Sequence, residues 1–328
     1  MKKKLALTMA LMLVTGTLAA CGNSGGSGSS TAASAGASQA AAATSEAAPA
    51  STGEAAPAGN ALEDAAMGYF ANFPWGEIGN NQIAPADLFA KIDAGEDILI
   101  IDIRQADAYG ESHLKGAVNI PYQDIPANLD KIPDDKTVFV NCYTGQTSSQ
   151  TVALLNIAGK YAINIQSGWN RGISQADGFE AYTETDANEL PDGSYPVEAS
   201  IASAITDYYK EADGHNYKYF NFPVDDLKAL VDAESDEYTI LSVRQAKDYA
   251  EGHIAGAMNI PFGKDMQNSF SEIPTDKPVI VYCYTGQTAS QVMAVLRMLG
   301  FEAYNLNGGM GKEGAFGWLE KGYPVVTD

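Results

Sequence analysis

Two cysteines, Cys142 and Cys283, open the same six letters, Cys-Tyr-Thr-Gly-Gln-Thr. Each ends an apolar run that reads as a strand, Thr137 to Asn141 in one case and Pro278 to Tyr282 in the other. Each is followed by a short loop containing glycine, then by a segment of helical spacing, Ser148 to Ala158 and Ala289 to Leu299. Such a strand, loop and helix would place the sulfur at the carboxyl edge of a parallel sheet, where ligands bind. A loop curling around the sulfur would aim backbone N–H groups at it, and the helix adds its positive N-terminal end. Both effects favour thiolate over thiol, and the thiolate is the form that attacks a sulfane sulfur. The same surroundings would stabilise a Cys–S–S⁻ anion.

The elements that must position these cysteines come in two copies. Ile101-Asp102-Ile103-Arg104-Gln105-Ala106 matches Leu241-Ser242-Val243-Arg244-Gln245-Ala246. His113 to Pro121 matches His253 to Pro261, and Cys142 to Thr147 recurs unchanged as Cys283 to Thr288. The offset is 140 at the first two blocks and 141 at the third, so the period is a whole domain rather than a solenoid unit. In the first copy, Pro85 to Ala94 has helical spacing between a proline and a glycine. Ile98 to Ile103, Val118 to Ile120 and Ala162 to Ile165 read as further strands, and the second copy repeats the pattern with Thr239 to Val243 and Ala303 to Leu306. Alternating strand and helix predicts an α/β fold with a parallel sheet in each copy.

These blocks, in this order and present twice, resemble the rhodanese superfamily. The resemblance covers about residues 80 to 175 and 220 to 325. It implies two tandem rhodanese-like domains, each a small parallel sheet flanked by helices. It also implies that Cys142 and Cys283 accept sulfur. The binding loops would be Tyr143, Thr144, Gly145, Gln146 and Thr147 in one copy, and Tyr284, Thr285, Gly286, Gln287 and Thr288 in the other. Asp102, Arg104 and Arg244 are expected to support the site, with Arg104 paired to Glu111 and Arg244 to Glu251. His113 and His253 are expected to be structural. The implied partners are a sulfane-sulfur donor and a thiol or cyanide-like acceptor; no cofactor is called for. The sequence departs from the family in two ways. Neither loop carries the cation that helps to hold thiosulfate, although Arg171 lies after the next strand. Ser242 stands where the first copy has Asp102, which should weaken a local network. A less charged persulfide or polysulfide donor is therefore expected.

The N-terminus reads as an address. Lys2 to Lys4 precede an apolar run, Leu5 to Val14, and then Leu18-Ala19-Ala20-Cys21. Small residues before a cysteine match the bacterial lipobox, which implies cleavage after residue 20 and lipidation of Cys21. The run is short for a membrane span. Residues 21–60, rich in Gly, Ala, Ser and Thr, cannot bury enough surface to offset chain entropy and read as a disordered tether. The expected division is a signal at 1–20, the tether at 21–60, and domains at 61–190 and 200–328. The expected location is extracytoplasmic, at the cell membrane, held through lipid alone.

A net charge of −21 argues against nucleic acid as a partner. Three cysteines and three scattered histidines show no metal-ligand spacing. A phosphatase of related fold needs Arg six positions after the cysteine, where this chain has Ser148 and Ala289. Two readings stand: a sulfurtransferase or persulfide carrier, and a non-catalytic module that binds a partner or senses redox state.

Overall fold

The computed structural model describes residues 61–72, 79–311 and 316–327. The signal, Cys21, the tether and Trp75 lie outside the described residues. Both repeats lie in one compact unit, Glu54–Asp328. In chain order the first repeat runs α1 (Ala61–Asn72), β1 (Gln82–Ile83), α2 (Pro85–Asp93), β2 (Ile98–Asp102), α3 (Ala106–Glu111) and β3 (His113–Leu114). It continues with β4 (Ala117–Asn119), β5 (Thr137–Asn141), α4 (Gln146–Ile157), β6 (Ala162–Ile165) and β7 (Thr183–Glu184). The second repeat runs α5 (Ala199–Gly214), β8 (Asn221–Phe222), α6 (Val224–Asp232), β9 (Thr239–Ser242) and α7 (Ala246–Glu251). Then follow β10 (Ala257–Asn259), β11 (Val279–Tyr282), α8 (Gln287–Met298) and β12 (Ala303–Leu306).

The two sheets have equivalent orders, β1-β6-β5-β2-β4 and β8-β12-β11-β9-β10, and every pairing within them is parallel. This is the expected α/β architecture. Alternation along the strands sets the layers. In β5, Val138 and Val140 face the core shared by both repeats, while Phe139 joins a separate cluster with Leu88, Ile100 and Ile163. Helices α4 and α8 start two residues earlier than their spacing predicts. Gly145 and Gly286, at φ 84° and 82°, cap them in the left-handed region and let the helix begin at once.

The leading helices cross between repeats. Helix α1 precedes the first sheet, yet Tyr69 donates to Gln291 of α8, and Phe70 makes edge contacts with Phe262 and Phe270 of the second repeat. Helix α5 precedes the second sheet, yet Tyr208 and Tyr209 donate to Gln150 and Thr151 of α4. The tyrosines of α5 thus pack between the repeats. Each glutamine also donates to a carbonyl in a left-handed turn just before the first strand of the other repeat: Gln291 to Asn80, and Gln150 to Tyr219. Four aromatic side chains and two helices are shared, so the repeats are expected to unfold as one. Phe70→Ala should cost about 3–5 kcal/mol and shift a single urea transition, coincident by fluorescence and circular dichroism. Two separate transitions would mean that the repeats are independent.

Candidate functional site

Strand β5 delivers Cys142 to the carboxyl edge of the first sheet, and β11 delivers Cys283 to that of the second. Both sulfurs belong to free cysteines, each 1% exposed. The loop carbonyls are anchored from behind. Cys142 and Tyr143 accept from the N–H groups of Trp169 and Asn170, while Cys283 and Tyr284 accept from Met310 and Gly311. A close approach by glycine makes this possible. A Cβ on Gly168 would lie 2.5 Å from the Cys142 carbonyl oxygen, and one on Gly309 would lie 2.6 Å from that of Cys283.

Around the sulfurs the two copies diverge. Cys142 Sγ accepts from the N–H of Gly145 at 3.1 Å and lies 3.1 Å from Ser148 Oγ. Among the described residues no hydrogen bond reaches Cys283 Sγ, and Ala289 stands in the place of Ser148. The cradle is thus narrower than the expected ring of several N–H groups, and the two loop glutamine side chains reach into the other repeat. Gln287 Oε1 accepts from the N–H of Ser167 at 2.7 Å and from Asn164 Nδ2 at 3.1 Å, both in the first repeat. Gln146 Oε1 accepts from the N–H of Gly308 at 3.0 Å and from Asn305 Nδ2 at 2.9 Å, both in the second. Each cysteine loop is therefore plugged into the other repeat.

These contacts fix hydrogen orientations without ambiguity. A backbone N–H can only donate, so each glutamine oxygen is set as acceptor and each asparagine must offer its amino group. Asn164 Oδ1 is then left to accept from Ser148 Oγ at 2.6 Å. Ser148 has one proton, so towards Cys142 it presents a lone pair suited to an S–H donor. When the sulfur is an anion, that hydroxyl must turn and release Asn164. In the second copy Asn305 Oδ1 is buried without a partner, as Ala289 requires.

The surrounding residues make the following contacts. Asp102 and Arg104 form a buried ion pair at 2.7 Å, and Arg104 also donates to the Ser112 carbonyl and lies 4.1 Å over the Trp169 ring. The expected Arg104–Glu111 pairing is not made, because Asp102 offers both carboxylate oxygens in the same strand end. Arg244 likewise bonds the Gly252 carbonyl, while Glu251 faces Lys247 on the helix surface. Ser242 cannot reach round the guanidinium, and among the described residues Arg244 Nε has no hydrogen-bond partner. His113 and His253 stack on Tyr109 and Tyr249 and bond their carbonyls. Tyr143 and Tyr284 each accept from a backbone N–H through the phenol oxygen, of Gln105 and Gln245 respectively. Burial and a hydrogen bond to Asp248 push the Tyr284 phenol up to about 12. Thr144 and Thr285 accept from Gln146 and Gln287 of their own loops. The Thr147 carbonyl accepts from Thr151, and Thr288 borders a cavity at Cys283. Arg171 lies over Phe316 at 4.5 Å and lines a second cavity of about 240 Å³ between the two loops, with Thr144, Gln146, Thr285 and Gln287. Among the described residues no cluster of His, Cys, Asp or Glu could hold a metal ion, and no helix is long and apolar enough to cross a membrane.

The family model "Rhodanese-like domain" matches residues 84–181 and 223–312, more than half of the chain. The chain belongs to the rhodanese-like family. It is similar to the uncharacterized protein YqhL of Bacillus subtilis, with 41% identity over 76 residues, 23% of this chain and 60% of that protein. It is also similar to a sulfurtransferase of Allochromatium vinosum, with 30% identity over 96 residues, 29% of this chain and 84% of that one. A 3-mercaptopyruvate sulfotransferase structure, SseA from Escherichia coli, aligns with 69% of this chain and 97% of its own at 19% identity and a TM-score of 0.32. The chain thus spans slightly under two thirds of one of these relatives and most of the other two. Other relatives bear the names putative sulfurtransferase and putative sulfur carrier protein.

Ser148, Asn164, Asn305 and the glycines at 168 and 309 were missed from sequence. Their signal was present: an asparagine at the same place in two apolar last strands, and a glycine at the same distance after each. Restoring the missing rhodanese-loop hydroxyl tests the assignment. Ala289→Ser should supply the proton that Asn305 Oδ1 lacks and raise stability by about 1 kcal/mol. Gln287→Ala should cost about 2–3 kcal/mol, since it strands buried donors in the other repeat. Urea denaturation reads both. A loss of stability in Ala289→Ser would show that Asn305 Oδ1 does not face position 289.

Proposed function

We propose that this protein carries sulfane sulfur as a persulfide on Cys142 and Cys283, at an extracytoplasmic membrane surface to which a lipid on Cys21 anchors it. The observation that carries the reading is the repeated loop. Twice, a strand end, a left-handed glycine and a helix start hold one free cysteine at the carboxyl edge of a parallel sheet. At Cys142 the Gly145 N–H is already on the sulfur. A donor sulfur would be attacked by the thiolate and held against that N–H and the helix end. A thiol or cyanide-like acceptor then takes the outer sulfur and returns the cysteine. Neither loop supplies a cation for a dianion, which favours a persulfide or polysulfide donor over thiosulfate.

A second reading, redox sensing or partner binding without turnover, draws on the burial of both sulfurs. The two readings separate in one experiment. After exposure to a persulfide donor, intact mass should show one added sulfur on Cys142→Ser, one on Cys283→Ser and none on the double variant. The adduct should be discharged by cyanide as thiocyanate. Titratable thiols that never accept sulfur from any donor would sink the carrier reading. A disulfide between Cys142 and Cys283 would favour sensing. For the anchor, Cys21→Ser should abolish incorporation of labelled palmitate and move the protein from the membrane to the soluble fraction. Unchanged labelling would refute lipidation at Cys21.

A further inference from the structure

We propose that His113 is held as an imidazolium that latches the chain between the repeats onto the first repeat, so that this joint is tight at mildly acid pH and loosens as the pH rises. The ring is 0% exposed, so its nitrogens must find their partners within the protein. Nδ1 lies 2.8 Å from the Tyr109 carbonyl oxygen, and Nε2 lies 3.0 Å from that of Asp186. A carbonyl oxygen can only accept. A neutral imidazole has one N–H and one bare lone pair, so it would satisfy one carbonyl and set its lone pair against the other. With a proton on each nitrogen, both contacts are charge-assisted hydrogen bonds.

The neighbours suit a cation. The ring stacks on that of Tyr109, with centroids 3.6 Å apart and planes 10° apart, and so lies on the negative face of the phenol ring. Nε2 is 3.9 Å from Glu184 Oε1. Asn188 and the Gly116 N–H bond this carboxylate and, with His113 nearby, hold it below the usual carboxylate range. Glu184 is therefore an anion wherever the imidazole titrates. The other charged groups of these elements are turned elsewhere. Lys115 Nζ donates to the Ala181 carbonyl, and Arg104 is paired with Asp102 and bonds the Ser112 carbonyl. Asp107 accepts from the N–H of Ala108, Glu111 is exposed, and Asp186 meets the ring through its carbonyl. Burial alone would oppose a charge here. Two hydrogen bonds, the ring face and the carboxylate offset it.

The latch holds the start of the chain that leads from β7 to α5. Asn188 closes on the same place, since its N–H donates to the Tyr109 phenol oxygen and its Nδ2 to the Ala117 carbonyl. When His113 loses a proton, one carbonyl contact turns from attraction to repulsion. Tyr109 is fixed within α3, so Asp186 is the partner that gives way. The bond is thus present while the ring is protonated and is lost as the pH rises through its titration. The segment released is the one that carries α5 to its contacts with α4, so the joint between repeats loosens with it. In the second repeat His253 bonds the Tyr249 carbonyl and stacks on that ring, but Val326 stands where the first repeat has Glu184. The latch is therefore assigned to His113.

The full chain, with histidine labelled by ¹⁵N, tests this through imidazole NMR and through hydrogen exchange read by mass spectrometry. At about pH 6 both ring nitrogens of His113, identified by their loss in His113→Gln, should carry a proton. Protection of residues 183–190, corrected for the intrinsic exchange rate, should fall about tenfold between about pH 5 and about pH 9, while that of α4 stays level. His113→Gln has no titrating proton, so its protection should be low at acid pH and should not vary. Glu184→Gln removes the neighbouring anion and should move the transition to lower pH; it decides the matter even where His113→Gln does not fold. A bare His113 nitrogen at about pH 6, level protection in the parent, an equal fall in α4, or a transition left unmoved by Glu184→Gln overturns the latch.

Discussion

The reciprocal exchange of Gln146 and Gln287 governs the functional half of this molecule. Through its oxygen each side chain accepts a backbone N–H in the other repeat, from Gly308 and from Ser167, while its amino group bonds its own loop. A backbone donor cannot be inverted, so the orientation of every polar group beyond it follows. Asn164 and Asn305 must present their amino groups to the glutamines, which leaves the Asn164 oxygen to accept from Ser148, six positions after Cys142. Through this chain the contact between repeats sets the hydrogen bonds available to a sulfur within one repeat. The burial of these amides explains why their donors are all engaged: an unpaired buried donor costs more than the bond contributes.

Within this symmetric frame the two cysteines are chemically distinct. Cys142 has a backbone N–H and a serine beside it. Cys283 has an alanine there, and a cavity walled by the other repeat. A second difference runs in parallel, because Asp102 satisfies Arg104 while Ser242 leaves Arg244 Nε unpaired. Both departures lie in the second copy. The cysteine of that copy also borders a cavity that is partly walled by the other repeat. The crossing of α1 and α5 keeps the two environments in register, since each helix fastens the turn that borders the other repeat's site.

The fold was legible because its information is local and doubled. Strand lengths, the Pro85 start, the glycine after each helix and the repeated cysteine loop follow from period and turn chemistry, which depend on neighbours in the chain. The site was legible in outline for the same reason, as the loop residues are contiguous. Some contacts could not be read so easily. The resemblance implies Arg104 paired with Glu111, but Asp102 takes the guanidinium at the strand end. The leading helix of each repeat reads as the start of its own domain, although its tyrosines and phenylalanines pack on the other.

By itself, the sequence determined two α/β repeats, each presenting one cysteine between a strand and a helix, and an N-terminal pattern that reads as a lipid address. Only the tertiary structure decided that Gln146 and Gln287 clasp the opposite repeat rather than their own sulfur. It also decided that Ser148 bears on Cys142, and that Asn80, Gln82 and Gln166 wall the cavity at Cys283. The physical reason is range. Periodicity and turn preference act over a few residues and are written along the chain. Hydrogen-bond partners about 120 to 220 residues apart are chosen by how buried surfaces close on one another.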